Sequence, residues 1–160
     1  MGWSQLVSCL AVAKKAKQDS DTKIVLGGTY VSSEAEGIME KFDFVDYAIK
    51  GPAWQTFAML LEAIEKACGF DSVPGLVYRD GKPIRSNQTA RHCINEMPPP
   101  DCQGLPLATY KRMVRSCYRV GVGFLILRYL LGTGCPFKCN FCRRNIGTTL
   151  QFKPPTKSSF

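Results

Sequence analysis

Residues 4 to 67 alternate between helical and strand periodicity, and this alternation limits the possible folds more than any other feature of the chain. Leu6, Val7, Leu10, Ala11 and Ala13 recur at helical spacing over residues 4 to 18, and lysines gather at the end, where a helix C-terminus favours cations. Lys23-Ile24-Val25-Leu26 is a short apolar run stopped by Gly27-Gly28, the pattern of a buried strand opening into a turn. A second helix is predicted after Ser32-Ser33, with Ser33 as its cap and Glu36 three positions on, as in a capping box. Residues 44 to 49 read as the next strand, closed by Gly51-Pro52. Phe57, Leu60, Leu61 and Ile64 then give a helix over residues 53 to 67 one apolar face. Helix, strand, helix, strand, helix is the rhythm of a parallel sheet wound with helices, an α/β fold. Such a sheet is buried on both faces and ordinarily holds more than two strands, so residues 1 to 68 read as the second half of a domain.

After Gly69 the pattern changes. Residues 75 to 79 and 82 to 85 flank Asp80-Gly81, a strong hairpin signal because a tight type I′ turn needs positive φ at both central residues. Pro98, Pro99, Pro100, Gly104 and Pro106 predict an extended connection over residues 87 to 106. Residues 69 to 108 are therefore expected to form a hairpin and proline-rich linker, with a further unit from 109 to 160. Residues 121 to 131 predict a buried strand that enters a turn at Gly132-Thr133-Gly134, and residues 150 to 152 a short strand. The longest apolar run, residues 120 to 131, contains Arg128 and is shorter than the roughly 20 residues of a bilayer span, so none is expected.

Three of the eight cysteines lie within Cys135-Pro136-Phe137-Lys138-Cys139-Asn140-Phe141-Cys142, a C-x-x-x-C-x-x-C run. Three thiolates on so short a loop cannot all pair as disulfides, but they can converge on one inorganic cluster and leave one metal position without a protein ligand. Lys14, Lys15 and Lys17 follow the first apolar stretch instead of preceding it, unlike a signal peptide, so a reducing, cytoplasmic compartment is expected. A closed zinc site lacks an evident fourth ligand, since His92 is the only histidine and Cys9, Cys68, Cys93, Cys102 and Cys117 are scattered. On spacing alone, packed or reactive thiols also remain open.

The net charge of +8 belongs to the cysteine-bearing end, where residues 111 to 160 hold 10 basic residues and no acidic one, against 11 basic and 13 acidic before them. Clustered cations attract phosphate and carboxylate alike. No RNA-binding or helix-turn-helix pattern accompanies them, so nucleic acid is not the expected partner.

The triplet resembles the signature of the radical S-adenosylmethionine enzymes, C-x-x-x-C-x-aromatic-C after the first strand of a partial triosephosphate-isomerase-like barrel, with Phe141 in the aromatic slot. The resemblance implies that Cys135, Cys139 and Cys142 bind three irons of a [4Fe-4S] cluster and that the fourth iron chelates S-adenosylmethionine, with Phe141 near the adenine. It further implies an electron donor such as flavodoxin or ferredoxin, and a deoxyadenosyl radical that abstracts hydrogen from a small-molecule or peptide substrate. Thr133 departs from the arginine that many relatives carry before Gly-Cys-Pro. No general acid or base is evident.

Upstream, Ser4-Gln5-Leu6 and Gly27-Gly28 resemble the S-x-L and G-G elements of Rossmann-like, flavodoxin-like cobalamin-binding domains, which precede the barrel in cobalamin-dependent radical enzymes. By that resemblance Ser4, Leu6, Gly27 and Gly28 lie along the buried nucleotide tail of the corrinoid. The D-x-H-x-x-G element of many such domains is absent from these residues, and His92 has neither its context nor its place. Gly51-Pro52-Ala53-Trp54 stands where relatives carry Gly-Glu-Gly-Glu.

The expectation is a fragment: the second half of a cobalamin domain (1 to 68), a hairpin and linker (69 to 108), and the first strand and cluster loop of a radical barrel (109 to 160). The whole enzyme would catalyse methyl transfer or rearrangement, and the piece alone would be inactive. A second reading is a methylthiotransferase acting on tRNA, with Cys9 and Cys68 as candidates for another cluster. A third is a non-enzymatic zinc-binding interaction module using the triplet with Cys117 or His92.

Overall fold

The computed structural model describes residues 3–90, 93–98, 101, 103–118, 132–135, 137, 139 and 151–152. They fall into two units, residues 1–92 with 134–149 and residues 93–133 with 150–160. No helix among the described residues is long and apolar enough to cross a membrane.

The first unit runs α1 (Trp3–Asp19), β1 (Val25–Leu26), α2 (Thr29–Lys41), β2 (Tyr47–Ile49), α3 (Ala53–Glu65), β3 (Leu76–Arg79) and β4 (Ile84–Ser86). The α/β expectation is borne out, and the strands form one sheet in the order β1-β2-β3-β4. β1 and β2 are parallel, with Val25 opposite Tyr47 and Leu26 opposite Ala48. β3 runs antiparallel to β2, Leu76 facing Ile49, and β4 returns beside β3 with Arg85 opposite Tyr78. The hairpin expected as part of a separate stretch thus continues the sheet of the first unit. Its turn chemistry is local and readable, whereas the partner that satisfies its backbone lies some thirty residues upstream and leaves no local mark.

Side chains alternate between two cores, as the period of a strand requires. Leu26, Ala48 and Val77 join Leu6, Leu10 and Ala13 of α1 and Val31, Ala35, Ile38 and Met39 of α2. Ile49, Leu76 and Tyr78 join Leu60 and Ala63 of α3 with Val73, and Val25 and Tyr47 pack against that group. Helices α1 and α2 therefore cover one face and α3 the other. Asp46 fastens the first layer, accepting the Ile24 N–H at 2.8 Å and pairing with the Lys17 ammonium at 2.9 Å.

Helix α2 begins four residues before the expected cap. Gly28 stands at its N-cap with φ 108 and ψ 175, and the helix kinks at Glu34. Ser33 is inside it and donates to the Thr29 carbonyl at 3.5 Å, while Glu36 pairs elsewhere, so the capping box is a chance match of residue types. At the far end the Arg79 guanidinium of β3 donates to the carbonyls of Met39 and Phe42, satisfying a helix C-terminus from the neighbouring strand.

The second unit contains a short 3₁₀ turn at Ile94–Glu96, α4 (Leu107–Tyr118), β5 (Gly132–Thr133) and β6 (Gln151–Phe152). β5 and β6 pair antiparallel, so Gly132 and Thr133 form a strand instead of the expected turn, while the short strand expected at 150 to 152 is present. The Gln151 side-chain oxygen accepts the Ile94 N–H at 2.8 Å. α4 was absent from the sequence expectation; Pro106, whose carbonyl accepts the N–H groups of Thr109 and Tyr110, marks its start. The strand expected at residues 121 to 131 lies outside the described residues.

Gly75 gives a direct test of the sheet corner, because its φ is +70 and a β-carbon there would sit 2.6 Å from the Lys50 carbonyl oxygen. Gly75→Ala is expected to destabilise the chain by about 1–3 kcal/mol. Gly37→Ala, inside α2 with nothing within 4 Å, is expected to stabilise it. Urea midpoints measure both, and equal midpoints for the two variants would contradict the corner geometry.

Candidate cofactor site

In an open α/β sheet, ligands settle outside the carboxyl ends of the parallel strands. Here two loops meet that description. One leaves β1 through Gly27-Gly28 into α2, and the other leaves β2 through Lys50-Gly51-Pro52 into α3. Gly28 needs to be glycine, since its φ of 108 lies in the left-handed half of the map. Gly27 does not: a β-carbon added there would meet nothing within 4 Å. The protein's own packing leaves that space open beside the backbone.

The other two candidates on this side are placed differently. Leu6 is only 7% exposed and belongs to the apolar core that also contains Leu26, so packing already accounts for it. Ser4 lies in the first turn of α1, and its side chain is outside what the structure describes. An open, largely apolar groove of about 450 Å³ runs between α1 and β1, the edge strand of the described sheet, and is lined by Cys9, Val12, Ala16, Val25 and Leu26 among others.

Two residues that sequence reasoning passed over hold the loops. Ser32 in α2 donates its hydroxyl to the Gly28 carbonyl at 2.9 Å and accepts the Gly51 N–H at 2.9 Å. The Lys50 ammonium pairs with Glu36 at 2.9 Å and also bonds Ser86 of β4, whose hydroxyl donates to Glu36 at 2.6 Å. The only trace of Ser32 in the sequence is a hydroxyl four residues after Gly28, one helical turn from the glycine pair.

At the other end, Gly134 with φ 95 turns the chain just before Cys135. Cys135 and Cys139 are free thiols of intermediate exposure, with Phe137 exposed between them. Phe141, Cys142 and His92 lie outside the described residues, as does the Cys117 side chain, so the full triplet is not brought together among those described. No group of three metal-ligating side chains occurs among the described residues. Cys9 is on α1 and Cys68 just beyond α3, helices that pack on opposite faces of the sheet, which separates the two candidates for a second cluster.

No protein-family model matches the chain. An uncharacterized methyltransferase of Pyrococcus horikoshii is 30% identical over 153 residues, covering 93% of this chain and 30% of the relative. The anaerobic magnesium-protoporphyrin IX monomethyl ester cyclase of Synechocystis is 24% identical over 139 residues, 84% of this chain and 26% of the relative. Among solved structures, the radical S-adenosylmethionine methyltransferase TsrM from Kitasatospora setae, with cobalamin and a [4Fe-4S] cluster bound, superposes with a TM-score of 0.61 at 17% identity over 94% of this chain and 30% of that one. OxsB, a cobalamin-dependent S-adenosylmethionine radical enzyme with aqua-cobalamin and S-adenosylmethionine bound, gives 0.66 at 18% identity over 94% of this chain and 20% of that one. The chain thus spans at most about a third of the length of these relatives, and the fold it shares with the solved structures includes the Rossmann-like part read from the sequence.

The Glu36 contact predicts a pH dependence. Burial opposes the charge on Glu36, but hydrogen bonds from Ser86 and Lys50 and the Lys50 charge outweigh it and hold the carboxyl below its ordinary value of 4.5. A depressed folded-state value means stability that is present at neutral pH and lost as pH falls below that ordinary value. With Glu36 44% exposed, solvent screening limits the effect of Glu36→Gln to about 1 kcal/mol or less. Urea titrations at a series of pH values should show the variant's deficit largest at neutral pH and shrinking as pH falls below 4.5; a deficit that stays constant across the series would contradict the linkage.

Proposed function

Because the chain resembles the cobalamin-dependent radical S-adenosylmethionine enzymes in its cysteine signature and in its fold, we propose that it provides the corrinoid-tail rim and the cluster loop of such an enzyme, one that catalyses methyl transfer. In this reading residues 1 to 68 are the second half of the cobalamin domain, to which the sheet joins the hairpin of β3 and β4, and residues 109 to 160 open the radical domain. Methyl transfer is favoured over rearrangement by the methyltransferases among the relatives.

The observation that carries the reading is Gly27. A glycine kept for its own backbone has a positive φ or a neighbour that excludes a side chain; Gly27 shows open space instead, at the carboxyl end of a parallel strand. That is where backbone must approach a ligand closely. The resemblance assigns the same place to the corrinoid's nucleotide tail. Leu6 would support the rim from within the core, and Ser4 is assigned to it by the resemblance alone.

Cys135, Cys139 and Cys142 would hold the [4Fe-4S] cluster as thiolates, and the partial exposure of the two described thiols suits metal loading. When bound, the cluster and S-adenosylmethionine supply one-electron chemistry, and the corrinoid a methyl carrier. Phe141 would offer a flat apolar face to the adenine. The reductant would be a small electron carrier such as flavodoxin or ferredoxin, the substrate a small molecule or peptide, and the compartment the reducing cytoplasm.

Anaerobic reconstitution of the chain with iron and sulfide should give the broad visible absorption of an iron-sulfur cluster, and Cys139→Ala should abolish it. An unchanged spectrum in the variant would refute the cluster assignment. One zinc and no iron per chain would favour the interaction module, and iron for two clusters the tRNA methylthiotransferase. For the corrinoid, Gly27→Ala should keep stability within about 1 kcal/mol of the unaltered chain while weakening aquacobalamin binding followed by absorbance. Unaltered binding in that variant would remove the corrinoid from the β1 turn.

A further inference from the structure

We infer that Ser32 is a positioning residue that locks the two loops at the carboxyl ends of β1 and β2 into one rim, and so fixes the backbone against which the corrinoid tail lies. The inference rests on the cobalamin reading above.

A hydroxyl carries one proton and two acceptor lone pairs. In Ser32 the proton points to the Gly28 carbonyl at 2.9 Å, one helical turn back, as is common for a serine inside a helix. That bond aims the oxygen's lone pairs away from α2. One of them receives the Gly51 N–H at 2.9 Å, from the loop after β2 and 19 residues further along the chain. The two bonds have fixed directions, so Ser32 joins a carbonyl of one loop to an amide of the other.

Among the described residues the Gly51 amide has no strand partner to turn to. β2 ends its ladder at Ile49, opposite Leu76, and the next amide, Lys50 N–H, goes to the Gly75 carbonyl on the β3 side at 2.8 Å. Successive amides of an extended segment point to opposite sides. Gly51 N–H therefore faces the β1 side, where the chain has already left the sheet at Gly27 to begin α2. Ser32 supplies the acceptor that a longer β1 would have given. It is 8% exposed, and an alanine there would leave the amide to find water in a space shielded from it.

Because Lys50 is itself held by Glu36 and by Gly75, the second loop is anchored on both sides before Ser32 engages it. The first loop is tied to Ser32 through both the N–H and the hydroxyl of that residue to the Gly28 carbonyl. Losing the hydroxyl lets the Gly27-Gly28 backbone shift relative to Gly51-Pro52. A ligand that lies along backbone tolerates little of such movement.

The test uses the full chain, with aquacobalamin as the probe and amide hydrogen exchange as a second readout. Ser32→Ala is expected to speed exchange at Gly51 and to weaken aquacobalamin binding, each by about tenfold. Ser32→Thr, which keeps the hydroxyl, is expected to restore both. Thr56→Val removes another buried hydroxyl, the one that donates to the Pro74 carbonyl at 2.9 Å, without touching either loop, and should leave the affinity unchanged. Should Ser32→Ala fail to fold, Ser32→Cys, a weaker acceptor of similar size, should show an intermediate loss. Equal affinity in the unaltered chain and Ser32→Ala, or an equal loss in Thr56→Val, overturns the positioning role. No binding by the unaltered chain overturns the cobalamin reading and the ligand side of this inference together, and an unchanged Gly51 exchange rate then overturns the lock as well.

Discussion

The first unit is registered on β2, a strand of three residues. One edge of Tyr47–Ile49 pairs parallel with β1 and the other antiparallel with β3, so both halves of the sheet take their position from it. Its side chains divide the interior: Ala48 faces the core of α1 and α2, while Tyr47 and Ile49 face that of α3. Ala48 and Ile49 are almost fully buried, and a small residue at 48 lets α2 approach the sheet closely. Since α2 and α3 both start where their strands end, fixing β2 also fixes the two loops that form the rim. The site is a consequence of sheet register before any functional residue is considered.

Three of the four glycines near that rim, Gly27, Gly28 and Gly75, have three different physical reasons to be there, and Gly51 shares the positive φ of Gly28. Gly28 adopts a φ that other residues resist, Gly75 leaves no room for a side chain beside Lys50, and Gly27 does neither. Sequence gives all three the same letter. Only the geometry separates a glycine that serves the turn from one that serves empty space, and the functional reading depends on that separation. Gly28 alone would have been explained by helix entry.

The helices and strands up to residue 67 were legible because burial of one face imposes a period of 3.6 or 2 on the apolar residues. Helix entry was less so. Ser33 and Glu36 have the residue types and spacing of a capping box, but α2 had already begun at Thr29, where the positive φ of Gly28 sets the start. The Asp80-Gly81 turn was readable, while its attachment to β2 was not, because a strand's partner is chosen by distant backbone groups. α4 was missed for a different reason: the prolines before it suggested a linker, and Pro106 suits the beginning of a helix equally well. At the site, glycine and cysteine spacing stood out, but Ser32 did not, since a serine in a helix is ordinary until the Gly51 amide is seen arriving at it.

The two proposed cofactor elements differ in what holds them. The rim is built from the protein's own bonds: the Ser32 hydroxyl, the Lys50 contacts and two apolar cores that need no ligand to form. Its geometry forms without a ligand, and a corrinoid tail laid along it, as proposed, would meet backbone that has already lost its freedom, which would lower the ordering cost of binding. A loop bearing three cysteines in eight residues is the opposite case. Three thiolates repel one another until a cation lies between them, and metal binding then contributes the free energy that orders the ligands. The corrinoid side is thus expected to be specified by sheet register and hydrogen bonding, and the cluster side by the chemistry of its ligands. Cysteine spacing marks the second in the sequence, and Ser4-Gln5-Leu6 with Gly27-Gly28 marks the first, whereas the Ser32 bond that joins its two loops is visible only in the fold.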